Sequence, residues 1–177
     1  DGSVIAEDMG AIFLPLGTVN RINGGISNRC FTKDEWSTQI DNLLYDNEGK
    51  PLSKEFEIDI TTSFNDIKKE LTINTNIDFI AIEGQYKLSV IIIENGIIAP
   101  QIDGTEYVLN YEHNQVYRCA VNGTYGESIN TNTGSLEWAK NYTILFNTDN
   151  NSNWTDSWNN VNNCYVIAYI YNSETLV

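Results

Sequence analysis

The only histidine of the chain, His113, lies in the run "NYEHNQVYRCAVNGTYGE" (110–127), beside Glu112, Arg118 and Cys119. Such a mixture of residues invites a search for acid–base or metal chemistry. A catalytic histidine needs a nucleophile or an orienting acid, and a zinc site needs three or more protein ligands. A lone histidine meets neither requirement, so we expect no catalytic residue, no metal and no cofactor. We predict structural roles for His113 and Arg118 instead.

The run also predicts local structure. Asn110 to Asn114 should form a polar loop that enters a strand, because asparagine side chains bond nearby backbone amides. His113 should bond a backbone carbonyl or a side chain of a neighbouring loop. After the loop, the alternation predicts a core face of Tyr117, Cys119 and Val121. Glu112 and Arg118 would lie ~20 Å apart on an extended strand, so they can pair only if the chain folds back.

A second run, "NTDNNSNWTDSW" (147–158), resembles a calcium loop in its spaced acids and amides. An EF-hand needs glycine at position six and glutamate at position twelve, where this run has Ser152 and Trp158. The motif therefore fails, which leaves an irregular cation site or, as we favour, a polar loop. Trp154 and Trp158, with Tyr125, are candidate ligand-binding residues that would stack on sugar rings. The same spacing suits two side chains packed on one helical face.

Composition narrows the function classes. The net charge of -14 disfavours nucleic acid as a partner, since an acidic surface repels phosphate backbones. No apolar run approaches the ~20 residues of a membrane span. The chain begins at Asp1 without methionine, so we expect a mature, trimmed or partial product. Cys30, Cys119 and Cys164 form no CxxC pair, and the last two are expected to be either a disulfide or two buried free thiols.

Two regions of the chain differ in their hydrophobic patterns. Residues 1–45 indicate an α/β segment, with a helix over 32–44 that begins in a Thr32–Glu35 capping box and carries an apolar stripe. Residues 46–52 contain Asn, Gly and Pro and are predicted to be a linker. Residues 53–177 alternate with period two, and the turn "NDIKKE" predicts a hairpin. Six or more short strands then predict an antiparallel sandwich. The apolar faces of its first three strands are Phe56, Ile58 and Ile60; Leu71, Ile73, Ile77 and Phe79; and Tyr86, Leu88, Val90 and Ile92.

Ordered motifs carry a family resemblance. They are "LPLGTVNR" (14–21), "GIIAPQ" (96–101), "YEHNQVYR" (111–118), "NGTYGE" (122–127) and "NCYVIAYIYN" (163–172). In this order they resemble the Omp28-like outer-membrane lipoproteins of Bacteroidetes. The resemblance covers nearly the whole chain.

The resemblance implies the end of a thioredoxin-like domain (1–45) followed by an immunoglobulin-like sandwich (53–177). In a thioredoxin-like fold, Pro15 would be the cis-proline. The family also implies export to the outer membrane, cell surface or periplasm, with a lipid anchor on a cysteine that this chain lacks. No CxxC is present, so redox chemistry is not assigned to these residues.

The expected function is that of a non-enzymatic surface module that binds an envelope protein or a glycan, in an adhesive or receptor role. Two alternatives stay open: a thiol–disulfide accessory protein that needs a missing N-terminal half, and a structural subunit of an outer-membrane assembly. Residues 1–45 should expose an apolar face that packs on a missing segment or a partner, because soluble monomers rarely expose large apolar patches.

Overall fold

The computed structural model describes residues 2–12, 16–26, 29–52, 56–79, 83–103, 105–132, 134–143 and 160–175. Its helices are Gly2–Asp8 (α1) and Trp36–Leu44 (α2), with 3₁₀ turns at Lys33–Glu35 and Val161–Asn163. Its strands are Leu16–Gly17 (β1), Phe31–Thr32 (β2), Phe56–Asn65 (β3), Glu70–Phe79 (β4), Tyr86–Glu94 (β5), Ile97–Asp103 (β6), Glu106–His113 (β7), Val116–Ala120 (β8), Glu127–Ile129 (β9), Ser135–Thr143 (β10) and Cys164–Asn172 (β11).

Two antiparallel sheets form a sandwich. One has the order β10-β4-β3, and the other has the order β11-β5-β8, with β9 also paired to β5. One hydrophobic core joins the central strands β4 and β5 of the two sheets. The predicted fold class, mainly β with an antiparallel sandwich after a short α/β segment, is confirmed. The immunoglobulin-like label and the boundaries 1–45, 46–52 and 53–177 stay predictions.

The period-two pattern explains why these strands carry the core. The predicted β4 face is buried, and Ile73 and Ile77 are 0% and 1% exposed. On β5, Leu88, Val90 and Ile92 are all 0% exposed. Burial of such a side chain contributes roughly 1.5–3 kcal/mol relative to leaving it in water. The face predicted on β3 is only half-buried or exposed, because β3 is the outer strand of its sheet.

Strands β6 and β7 form a two-stranded ribbon of their own, which pairs with no other strand of the described residues. The ribbon prolongs the β5–β8 ladder. Glu94 lies opposite Val116 at the end of that ladder, and Ile97 lies opposite His113 at the start of the ribbon. The polar loop predicted over Asn110 to Asn114 is therefore wrong, since all but the last of these residues belong to β7. The polar residues indicate a strand that faces solvent, where no alternating apolar pattern is needed.

The N-terminal segment contains the predicted helix, although its first turn, Lys33–Glu35, is 3₁₀. Glu35 accepts hydrogen bonds from the Thr32 amide at 2.9 Å and the Thr32 hydroxyl at 2.7 Å, so the capping box forms. These bonds, the hydroxyl first, lower the pKa of Glu35. The helix leaves Ile40 and Leu44 45% and 52% exposed, and what covers this face stays a prediction.

Trp36 fixes the start of α2 against β1 and β2. Its indole N–H donates to the Phe31 carbonyl at 3.0 Å. Its ring lies so close to Gly17 that a Cβ atom there would come within 2.7 Å of the ring. Glycine is therefore required at this close approach.

Candidate functional site

The run that holds His113 contains the end of β7, the residues that connect it to β8, and β8 itself. Residues 95–96 and 114–115 join the ribbon to the sandwich, and we call them the kink. At the kink, the side chains of two asparagines each accept a hydrogen bond from a backbone amide of the facing segment. The Gly96 amide donates to Asn114 Oδ1 at 2.9 Å, and the Gln115 amide donates to Asn95 Oδ1 at 2.7 Å. Gly96 and Gln115 both have positive φ, +72° and +57°, which breaks the ladder between sandwich and ribbon. The kink is thus a defined connection in which the amides of Gly96 and Gln115 are satisfied.

The ribbon exposes a row of apolar side chains. Ile98 and Ile102 share one face of β6 by strand alternation, and Tyr107 lies directly opposite Ile102. Leu109 lies two residues further along β7, where the register between the two strands shifts, and it is exposed as well. The exposed fractions of Ile98, Ile102, Tyr107 and Leu109 are 49%, 69%, 64% and 64%. We call these four residues the ribbon face.

A buried ion pair lies directly below the kink. Glu94, the last residue of β5, accepts a hydrogen bond from Arg118 Nε at 2.7 Å, and both side chains are 1% exposed. The second carboxylate oxygen accepts from the Asn160 amide at 2.6 Å. Glu94 therefore ties β5, β8 and the start of the Val161–Asn163 turn together. A buried charge is tolerated only when it is paired and hydrogen-bonded in this way.

A β-bulge turns Arg118 inward. Ile92 lies opposite Cys119 and Ile93 lies opposite Tyr117, so Arg118 is the extra residue of β8. A bulge re-aims a side chain in this manner. Cys119 packs on the core and Val121 belongs to it, as predicted, but the buried side chain between Tyr117 and Cys119 is that of Arg118. Its partner is Glu94 and not Glu112.

The imidazole of His113 lies within the ribbon. Its Nε2 atom is 3.3 Å from the Ala99 carbonyl oxygen on the facing strand. The ring meets Tyr111 edge-on, with ring centroids 4.8 Å apart. The polar partner is a backbone carbonyl, although it belongs to a strand and not to a loop. The structural role of His113 stays a prediction.

The thiols are free, which answers the question of a Cys119–Cys164 disulfide. Cys164 lies on β11 and Cys119 on β8, with β5 between them. Two strand spacings separate the Cα atoms by at least about 9.5 Å, beyond the ~7 Å that a disulfide spans. Both thiols are half-buried. Desolvation, and then the charge of Glu94, raise the pKa of Cys164 to about 12, so this thiol is not an activated nucleophile.

Tyr125 is the one member of the predicted stacking group inside the described residues, since Trp154 and Trp158 lie outside them. The Tyr125 hydroxyl bonds the Asp8 carboxylate, and the Tyr125 carbonyl accepts from the Tyr171 hydroxyl at 2.6 Å. Tyr125 therefore joins α1 to the sandwich. Pro15 also lies outside the described residues, as does the 147–158 run.

No group of three histidine, cysteine or acidic side chains within the described ranges is arranged to hold a metal ion. Neither helix in the described part of the chain has the length and hydrophobicity to cross a bilayer.

Comparison with known proteins decides the family. The model of the family "Outer membrane protein Omp28" matches residues 5–177. The chain belongs to the Omp28 family. Membership supports export and an outer-membrane location for the chain, as the motifs suggested. No curated protein matches the chain.

A solved structure similar to this Omp28-family chain is HBP35 of Porphyromonas gingivalis, with a TM-score of 0.66 at 14% sequence identity. The match covers 96% of this chain and 50% of HBP35, so the chain spans about half the length of that relative. At this identity the likeness concerns the fold alone. It assigns neither a role nor a ligand to this chain.

Sequence reasoning missed the two features that define the site. The ribbon face was not recognised, although "GIIAPQID" and "EYVLNYEH" are two apolar runs separated by Gly104-Thr105, which is a hairpin signal. The Glu94–Arg118 pair depends on a bulge in β8, for which the sequence carries no signal that we recognise.

Proposed function

We propose that this Omp28-family chain is a non-enzymatic binding module of the cell surface, adhesive or receptor-like, and that the ribbon face contacts its partner. The observation that carries the proposal is the exposure of Ile98, Ile102, Tyr107 and Leu109 on a ribbon that extends beyond the sandwich. Apolar patches on soluble proteins commonly mark interaction sites. Among the described residues no third strand pairs with β6 or β7, and the edge of a two-stranded ribbon can accept a further strand.

The chemistry of the ribbon favours a protein partner over a glycan. Three of the four exposed side chains are aliphatic, and these do not offer the flat faces on which sugar rings stack. The acidic residues Glu106 and Glu112 lie on the same ribbon, and the whole chain carries a net charge of -14. We therefore expect the partner to present an extended apolar segment with basic residues.

The test uses a synthetic ten-residue peptide of alternating valine and lysine, titrated into the ¹⁵N-labelled chain. Chemical-shift changes should concentrate on β6 and β7. The double variant Ile102→Ser/Tyr107→Ser should lower the affinity more than tenfold. The matched control is Ile67→Ser, because Ile67 is 95% exposed in the β3–β4 turn and its loss should leave affinity unchanged.

A second peptide of alternating valine and glutamate tests the charge argument, and it should bind at least tenfold more weakly. Shift changes that avoid the ribbon, or equal affinity of the double variant and the parent, would refute the assignment of the ribbon face. Binding to a glycan array that the double variant does not change would replace a protein partner by a sugar.

A further inference from the structure

A second site lies where the N-terminal segment meets β11, and it shares no residue with the ribbon face. A cavity of about 340 Å³ opens there. Its volume is at the lower end of small-molecule pockets. The cavity is lined by Ile5, Thr18, Asn20, Arg21, Tyr169, Ile170 and Tyr171.

Arg21 is held in place by two tyrosines. Its guanidinium lies over the Tyr171 ring, 4.2 Å from the centroid, and its Nη2 atom donates to the Tyr169 hydroxyl at 3.1 Å. Tyr171 is itself fixed, since it is 5% exposed and its hydroxyl bonds the Tyr125 carbonyl. The orientation of the cation is therefore set before any ligand arrives, which lowers the cost of binding one.

The charge of Arg21 has no counter-ion in the described part of the chain, although the chain as a whole is strongly acidic. The salt bridges found there involve Lys69, Arg118 and Lys140. Arg21 Nη1 is buried and makes no hydrogen bond. A second cation is close by, because Arg29 Nη1 donates to the Arg21 carbonyl at 2.8 Å. The Asp8 carboxylate, on the same helix as the lining residue Ile5, is engaged by Tyr125.

The backbone at this site is strained. Asn20 and Arg21 have φ of +45° and +56°, the left-handed region that side-chain-bearing residues seldom adopt. Such backbone strain clusters at ligand-binding positions. In this conformation Arg21 lies against the two tyrosines and lines the cavity.

We propose that this cavity binds a small monocarboxylate with an apolar or aromatic body. One edge of the guanidinium is used by Tyr169, so the edge that includes Nη1 remains for an anion, and carboxylates pair with such an edge in a bidentate manner. Of the residues that line the cavity only Arg21 is charged, beside the neutral Thr18 and Asn20, and one lining cation suits a monoanion better than a phosphate dianion. Ile5, Ile170 and the tyrosine rings provide the apolar surroundings for the body of the ligand.

Two pairs of probes test the proposal by calorimetry with the whole chain. Benzoate represents a free aromatic acid, and N-acetylphenylalanine represents the carboxylate at a peptide end. Their neutral partners are benzamide and N-acetylphenylalanine amide. Each acid should bind at least tenfold more tightly than its amide, and the tighter acid identifies the source of the carboxylate.

Variants then locate the site. Arg21→Gln should lower the affinity for the acids more than tenfold, whereas Arg21→Lys should retain part of it. Lys68→Gln is the matched control, because it removes the same charge at an exposed position of the β3–β4 turn and should change affinity less than twofold. Tyr169→Phe keeps the ring but removes the hydroxyl that orients Nη2, so it should lower the affinity for the acids at least threefold.

The comparison of acid with amide in the parent chain does not depend on whether an Arg21 variant folds. Equal binding of acid and amide, no binding of either acid, or full affinity in a folded Arg21→Gln variant would each overturn the proposal. The ribbon variant Ile102→Ser/Tyr107→Ser should leave carboxylate binding unchanged, so the two proposals can fail separately.

Discussion

Ile92 and Ile102 are the same residue type on consecutive strands of the chain, yet the first is 0% exposed and the second is 69% exposed. Ile92 faces the second sheet of the sandwich, whereas Ile102 belongs to a ribbon that no further sheet covers. Strand formation and side-chain burial are therefore separate properties here. Backbone pairing extends past the kink, but burial there is limited to one face of β6, where Ile97 and Ala99 are 1% and 3% exposed.

This difference in burial gives similar apolar residues different roles in the two regions. Core residues of β4 and β5 stabilise the sandwich through burial. The ribbon face contributes little burial and leaves its apolar surface available to another molecule. Substitutions on the two sides of the kink should therefore separate stability from binding.

The largest effect is expected at the ion pair between the two regions. Glu94→Gln removes the charge that pairs with the buried Arg118. Breaking a buried pair on one side typically costs about 3–5 kcal/mol, because the other charge stays buried. Urea unfolding should show this loss, and Glu112→Gln on the ribbon should change stability by less than about 0.5 kcal/mol. Equal losses of stability in the two variants would show that the buried ion pair contributes no more to folding than a charge on the ribbon.

Ile92→Ala and Ile102→Ala compare the regions directly. The first should destabilise the chain by about 2–5 kcal/mol, through lost burial and the cavity left behind. The second should fall within about 0.5 kcal/mol of the parent, since the side chain is largely in water. Thermal and urea unfolding give both values. A ribbon variant as destabilised as the core variant would show that something within the chain covers the ribbon face.

The reactivity of Cys164 tests the burial of the core edge next to the kink, because Cys164 packs against the core and lies opposite Glu94. A pKa of about 12 leaves very little thiolate at pH 8, whereas an unfolded cysteine titrates near 8.5. The raised pKa should slow the modification of this thiol by a disulfide reagent. Since the thiol is half-exposed, we expect a rate at least tenfold lower in the folded chain than in urea, and not the full effect of the pKa difference. The same shift means that this thiol stabilises the fold less as pH rises above about 8.5. Mass spectrometry of labelled peptides measures the rates, and equal rates would contradict the assigned burial.

His113→Ala tests the ribbon from within. Loss of the contact with the Ala99 carbonyl should cost roughly 1 kcal/mol and lower the melting temperature. Affinity for the valine–lysine peptide should stay within a few-fold of the parent. Both are to be measured on one preparation. A variant that melts like the parent but loses more than tenfold in binding would make His113 a functional residue.

The smallest effect is expected at Glu35, outside both regions. Its pKa is lowered in the folded chain, so its contribution is present above the unfolded pKa of about 4.3 and is lost as pH falls through the folded value. Glu35→Gln should lack this acid-dependent part. The difference in unfolding midpoint between parent and variant should therefore shrink from about pH 7 to about pH 3. A difference that grows in acid would contradict the lowered pKa.

Local patterns were readable from sequence, and long-range ones were not. The Thr32–Glu35 bonds join residues three positions apart, and the faces of β4 and β5 follow from alternation, so both were predicted correctly. The ribbon was missed because apolar side chains lie on both faces of β6, where Ile97 is 1% exposed and Ile98 is 49% exposed, so the apolar–polar alternation on which a strand prediction depends is absent. Arg21 meets Tyr169 across most of the chain length, and no local pattern encodes that meeting.

The kink has a consequence for how this fold can vary. Pairing of β5 with β8 is complete at Glu94 and Val116, before residues 95–115 begin. From the standpoint of the sandwich, these residues are an insertion between two strands that already pair. An insertion at such a position can change in length or be exchanged for another sequence without altering the register beneath it. The same scaffold can thus carry different hairpins, and a chimera with a foreign hairpin at Asn95 and Gln115 should fold on the same core.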